Sequence, residues 1–148
     1  MAEYLANAVQ TVQLNTPVIL NASIPCTKGY IIHEDGTGVF ILRGITPNCK
    51  ARYSVTFNAN IALPEGATVG PIAVALVLNG EPILTSRAIV TPAAAGDYFN
   101  VTCTKNIDVQ KGCCFNLAIE PVTAYNDSTA PAQAIDIQNA NLVINRTA

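Results

Sequence analysis

The stretch Arg52-Tyr-Ser-Val-Thr-Phe-Asn-Ala-Asn-Ile-Ala-Leu63 alternates apolar and polar side chains over twelve residues. Because successive side chains of a β-strand point to opposite faces, this period of two predicts a strand with one face in a core. The apolar set is Tyr53, Val55, Phe57, Ala59, Ile61 and Leu63. The alternation returns at Phe99, Val101 and Cys103, and again in the series Cys113, Phe115, Leu117 and Ile119. The second series predicts that Cys113 is buried and that Cys114 lies on the other face of its strand.

Turn signals separate the remaining apolar segments. A glycine-containing loop at 35–38 joins two such segments and predicts a hairpin, and Asn79-Gly80 predicts a tight type I′ turn before a strand at Ile83-Leu84. In the last segment, Ile135 and Ile137 share one parity and Ala140 the other, which predicts a β-bulge between them. No segment sustains a helical period, so we expect one all-β domain over residues 1–148, an antiparallel sandwich of roughly eight to ten strands.

Composition excludes several classes of protein. The chain has 8 Lys and Arg residues in no cluster, which argues against a nucleic-acid partner. The longest uncharged apolar stretch, between Glu65 and Glu81, contains Pro71 and is too short for a membrane-spanning helix, so no membrane partner is expected. Residues 1–7 lack a basic segment followed by an apolar one, so no signal peptide is predicted. We expect synthesis in a bacterial cytoplasm, with exit by lysis or assembly, unless a leader lies outside this sequence.

Residues capable of chemistry are sparse and scattered. The five cysteines are Cys26, Cys49, Cys103, Cys113 and Cys114, and none has C-x-x-C spacing. They are interpreted as small buried hydrophobes, with a Cys26–Cys49 disulfide, an intersubunit bridge or a metal site as alternatives. His33 precedes Glu34 and Asp35, which we interpret as a solvated hairpin tip, since two adjacent carboxylates cannot supply the oxygen ligands of calcium. No catalytic residue, metal site or cofactor is predicted, so the chain is not expected to be an enzyme.

The segment Ile72-Ala-Val-Ala-Leu-Val-Leu78 is apolar on both faces. Such a strand is buried on both sides, in a large protein or under a partner chain. Because the chain is small and only 12% of its residues are charged, the sequence favours the partner chain.

The order of these segments resembles the C1q/TNF-like jelly roll, and more closely its small versions in bacterial and phage collagen-like surface proteins, including prophages of Firmicutes. The segments that carry the resemblance begin at Val9, Pro17, Gly29, Gly36, Ala51, Val74, Val109 and Ala140, and together they cover about residues 6 to 146. The chain departs from the family at Asn48-Cys49-Lys50, where members usually have Pro-Gly.

The resemblance implies a homotrimer, and its bacterial and phage members imply a structural role on a particle surface. We therefore expect a virion protein, a phage head decoration or fibre, whose partners are its own copies and a major capsid or other virion protein. The expected trimer interface comprises Tyr53, Phe57, Ala73, Ala75, Val77 and Tyr98. The alternative is a module that binds surface glycans or a host receptor through the predicted loop at residues 124–133.

Overall fold

A computed structural model describes residues 2–20, 22–24, 30–33, 37–67, 69–122 and 134–147. The described chain is built almost entirely of strands, with one 3₁₀ turn at Leu84–Ser86. The strands are β1 Ala2–Ala6, β2 Gln10–Val12, β3 Ala22–Ile24, β4 Ile31–His33, β5 Val39–Arg43, β6 Lys50–Ala62, β7 Ile72–Leu78, β8 Glu81–Pro82, β9 Ala88–Val90, β10 Phe99–Gln110, β11 Cys114–Val122 and β12 Ile135–Arg146. This confirms the all-β prediction. Within the same residues, no helix has the length and apolar character needed to cross a membrane.

Two six-stranded antiparallel sheets enclose the core. The first sheet has the order β10-β6-β12-β1-β3, with β2 beside β12, and the second has the order β4-β5-β11-β7-β8, with β9 beside β7. Consecutive strands of the chain therefore often lie in different sheets, as in β6 and β7 or β10 and β11. The two inner faces pack against each other, as expected for a β-sandwich.

Strand β6 forms the centre of this core, as its alternation predicts. The side chains of Tyr53, Val55, Phe57 and Ile61 are fully buried, and Ala59 is 1% exposed. Their polar neighbours, including Arg52 and Asn58, lie on the outer face of the first sheet. Burial of this alternating apolar set therefore holds the two sheets together.

Strand β7 is buried on both faces within the single chain. Its inner residues Ile72, Val74 and Leu76 join the main core, whereas Ala73 and Ala75 form a small second cluster with Val122 on the other side of the sheet. On that outer face Ala73 and Ala75 are fully buried and Val77 is 2% exposed. The doubly apolar strand thus leaves no exposed stripe, and the partner chain inferred from it is not required to bury it.

Turns and irregularities follow the sequence closely. Asn79 and Gly80 have φ values of 52° and 85°, as a type I′ turn requires, and they join β7 to β8. The predicted bulge in β12 is confirmed, since the register against β6 shifts between Gln138 and Asn141. The strand expected at Ile83-Leu84 is wrong: β8 ends at Pro82, and the chain turns into the 3₁₀ segment after Ile83 donates to the Leu76 carbonyl.

Two further differences concern strand ends. Strand β1 precedes the first segment of the family resemblance, which begins at Val9, and it pairs with β12 near the other terminus. Cys113 is exposed, contrary to its predicted burial, because β11 starts only at Cys114 and Cys113 belongs to the preceding turn. Its carbonyl accepts a hydrogen bond from Gly44 N at 2.8 Å there. The parity of Phe115, Leu117 and Ile119 is otherwise as predicted.

Candidate functional site

The residues predicted to form a trimer interface do not share a surface. Tyr53 and Phe57 are fully buried between the sheets, and Ala73, Ala75 and Val77 are at most 2% exposed within the single chain. These five residues are therefore corrected to positions inside the subunit, where they offer no surface to a neighbouring copy. Only Tyr98, at 39% exposure, can contact one. Alternation identifies side chains that share a face, but it does not say whether that face is the inner or the outer one.

The cysteines differ from the interpretation as buried hydrophobes. Of the four cysteines that the structure describes, only Cys103 is buried, whereas Cys49, Cys113 and Cys114 are exposed free thiols. Burial raises the pKa of Cys103 to about 11, so its thiol stays protonated. Cys26 lies outside the described residues.

His33 is half-buried and is not the solvated side chain expected of a hairpin tip. Its ring stacks on Phe40 at 4.1 Å between centroids and meets the edge of Tyr4 at 4.8 Å. Its Nε2 lies 3.1 Å from the Thr37 carbonyl. Glu34 and Asp35 lie outside the described residues, as does the expected binding loop at 124–133. Within the described ranges, no group of three or more His, Cys, Asp and Glu side chains could hold a metal ion.

The outer face of the first sheet carries an uncharged band of polar side chains on β6 and β10. We call it the polar face, and it consists of Thr56, Asn58, Asn60, Asn100, Thr102 and Thr104. Asn100 Nδ2 donates to Asn58 Oδ1 at 2.8 Å and to Asn60 Oδ1 at 3.2 Å, which fixes three amides in one plane of the sheet. The flat surface has hydrogen-bonding groups and no charge to desolvate.

Within the described part of the chain, strand β10 forms one edge of the first sheet over 12 residues and pairs only with β6. Large apolar side chains are exposed around this edge, on the 3₁₀ turn, on β9 and at the start of β10. We call them the edge strip, and they are Leu84 at 51%, Ile89 at 38%, Tyr98 at 39% and Phe99 at 41%. A long edge strand flanked by apolar side chains is usually covered in natural proteins.

The sequence contains the signal for the polar face but not for the edge strip. The alternation in β6 and β10 already places asparagines and threonines on one face of each strand. Which strand lies at the sheet edge depends on pairings between segments about fifty residues apart, such as Thr104 with Thr56, and those pairings leave no local pattern.

Comparisons with known proteins identify the fold. No protein-family profile matches the chain, and no curated protein sequence matches it. Among solved structures, the globular domain of the zebrafish complement 1qA protein superimposes with a TM-score of 0.55 at 16% identity, covering 96% of this chain and 94% of that one. The C-terminal domain of EclA, a sugar-binding protein, gives a TM-score of 0.42 at 21% identity, covering 96% of this chain and 82% of that one.

Proposed function

We propose that the protein is a homotrimeric jelly-roll module with a structural, non-enzymatic role. Its sheets form a C1q-like jelly-roll sandwich, as the likeness to the complement domain shows. The observation that carries the proposal is the presence of two unlike surfaces on one chain. The polar face lacks charge, and the edge strip exposes four large apolar side chains.

Two unlike surfaces favour a ring over a two-fold dimer. A two-fold interface brings the same patch of each subunit together, whereas a cyclic trimer joins one patch to a different patch of the next copy. Interface cores are depleted of charged residues and enriched in aromatic ones. The uncharged polar face meets the first condition, and the edge strip, with Tyr98 and Phe99 as aromatic anchors, meets the second. Contact of the edge strip with the next copy also covers the unpaired side of β10.

The test of the trimer is its mass in solution. Light scattering and native mass spectrometry at micromolar concentration should give three times the 15.6 kDa of one chain. The double variant Leu84→Asp/Phe99→Asp places charges in the edge strip and should run as a folded monomer. Ile45→Asp is the matched control, since Ile45 is 43% exposed but lies in the loop before β6, and it should remain trimeric. A monomeric parent protein, or a trimeric double variant, contradicts the proposal.

For the particle role, we propose a place on the surface of a phage head or fibre, with the other partner a major capsid or other virion protein. The resemblance to jelly-roll domains of phage and bacterial surface proteins supports this step. Particles released by the producing bacterium should contain the chain in a fixed ratio to the major capsid protein after density-gradient purification. Antibodies against the chain should label intact particles from outside. Recovery of the chain only in the particle-free lysate contradicts this role.

A further inference from the structure

The first sheet separates its charges along the strand direction. One end of the sheet, where β6 begins and β10 ends, carries four cations: Lys50, Arg52 and Arg146 on the strands and Lys111 in the adjoining turn. The described carboxylate at this end is Asp108. We call this the basic end. At the opposite end, the described residues carry three carboxylates and no cation. They are Asp136 opposite Ala62, Glu65 after β6, and Asp97 beside the Leu63–Gly96 hydrogen bond.

A groove of about 360 Å³ opens at the basic end, lined by Asn48, Cys49, Lys50 and Arg52. Backbone hydrogen bonds fix its walls, from Lys111 N to the Cys49 carbonyl at 3.0 Å and from Gly112 N to the Gly44 carbonyl at 3.1 Å. A Cβ on Gly44 would clash with the Gln110 carbonyl oxygen, so only glycine allows this close packing of the two loops. These contacts hold the loop before β6 against the turn between β10 and β11.

Asp108 orients both cations of the groove. Its carboxylate accepts from Lys50 Nζ at 2.9 Å and from Arg52 through Nε at 2.8 Å and a terminal nitrogen at 3.1 Å. These hydrogen bonds hold the pKa of Asp108 well below its usual range, so the carboxylate stays ionised. One carboxylate balances two cations, and most N–H groups of Lys50 and Arg52 remain available to a ligand. Both side chains are about half exposed, at 53% and 47%.

We propose that this groove binds an acidic saccharide, whose carboxylate, sulfate or phosphate contacts Lys50 and Arg52 while a ring hydroxyl bonds the Asn48 amide. Arginine and lysine together supply charge-assisted hydrogen bonds to such an anion. The volume is at the small end of the range for ligand sites, which suits one or two sugar rings. Among the described residues, those that line the groove include no aromatic side chain for base stacking, and this favours a saccharide over a single-stranded nucleic acid. The site does not depend on the proposed trimer.

Binding is tested on the full chain with four tetrasaccharide probes. A sulfated heparin fragment, an oligogalacturonate and a glycerol-phosphate-linked oligomer distinguish the possible acid groups, and maltotetraose is the neutral control. We expect at least one acidic probe to bind, maltotetraose not to bind, and affinity to fall as salt rises. Chemical-shift changes in the unaltered protein should centre on residues 48–52. Absence of binding by every acidic probe, or changes centred elsewhere, would overturn the proposal.

Variants then assign the contacts. Lys50→Gln/Arg52→Gln should weaken binding of the acidic probe about tenfold or more, since two charge-assisted hydrogen bonds are lost. Arg87→Gln removes a cation outside the basic end and should change affinity less than about twofold. Equal losses in both variants indicate a general charge effect and contradict the site. An oligothymidylate that binds residues 48–52 more tightly than every acidic saccharide contradicts the ligand class.

Discussion

The buried tyrosine of β6 shows how one polar atom can link the two sheets. The Tyr53 hydroxyl donates to the Arg43 carbonyl at 2.5 Å and lies 3.2 Å from the Tyr30 carbonyl, so β6 of the first sheet is tied to the β4–β5 hairpin of the second. Burial raises the pKa of Tyr53, so the hydroxyl keeps its proton and remains a donor.

Removing this hydroxyl should lower the free energy of unfolding. Tyr53→Phe keeps the ring in the core but takes the donor from the Arg43 carbonyl, and we expect a loss of about 1–2 kcal/mol. Urea unfolding measures the change. A Tyr53→Phe variant as stable as the parent would show that the hydroxyl bond contributes nothing net.

Glu120 gives stability a defined pH dependence. Its strand neighbours on the outer face, Ala118 and Val122, are apolar, and burial raises its pKa above the ordinary 4.5. An acid with a raised folded-state pKa binds more protons when folded, so its contribution to stability declines as pH rises through this window. Glu120→Gln should therefore melt at a higher temperature than the parent at pH 7. The difference in melting temperature should disappear at pH values below the ordinary glutamate pKa of 4.5. A Glu120→Gln variant less stable than the parent at neutral pH would contradict this prediction.

Thiol reactivity should follow burial. We expect iodoacetamide to modify Cys49, Cys113 and Cys114 in the native protein, whereas Cys103 reacts only after unfolding. Cys103 is 1% exposed, and its pKa of about 11 leaves little thiolate near neutral pH. Peptide mapping by mass spectrometry assigns each site. Early modification of Cys103 would show that the β7–β10 side of the core opens readily.

At the level of elements, each tight turn depends on one or two backbone conformations. The β7–β8 turn needs positive φ at Asn79 and Gly80, and a Cβ on Gly80 would meet no atom within 4 Å. Strain in Gly80→Ala therefore comes from the backbone angle alone. The amide of Asn79 adds a second constraint, because Asn79 Oδ1 accepts from Asn116 N at 2.9 Å and ties the turn to β11.

Gly80→Ala should destabilise the protein by about 1 kcal/mol, because an L-residue is disfavoured at positive φ. Gly70→Ala is a matched control, since a Cβ added at Gly70 also meets nothing within 4 Å and the φ of Gly70 is not positive. That variant should be neutral or slightly stabilising. Denaturant melts of both compare them directly. Equal effects would mean that the angle of the turn does not determine its stability.

For the whole molecule, we expect folding to be independent of metal ions. The core extends through both sheets, and the described residues contain no group of three metal-ligating side chains. A thermal melt in excess EDTA should therefore match the untreated melt. A fall of about ten degrees or more would reveal a stabilising ion, for example at a trimer axis where one ligand from each chain becomes three.

The extent of sequence-based prediction differs between fold and site. The strands β6, β10 and β11 and the β12 bulge follow from alternation and a change of parity. The trimer-interface residues could not be predicted in this way, because Tyr53 and Phe57 satisfy the same alternation whether their face is a core or a contact surface. The half-buried stack of His33 on Phe40 was also missed, since the predicted hairpin did not specify the register that places these two residues opposite each other.

The sequence by itself determined which side chains share a strand face and where the chain turns, because both depend on residues next to each other in the chain. Tertiary structure alone decided which strands pair across long stretches of chain, which face is inside and which strand is left at an edge. Those choices depend on contacts between residues far apart in the sequence. For example, Asn141 Nδ2 donates to Glu3 Oε1 at 2.6 Å, although nearly the whole chain lies between the two residues. The basic end has the same origin: Lys50, Arg52 and Asp108 come together only because β6 pairs with β10 in one register. A shift of that register by one residue would turn their side chains to the other face.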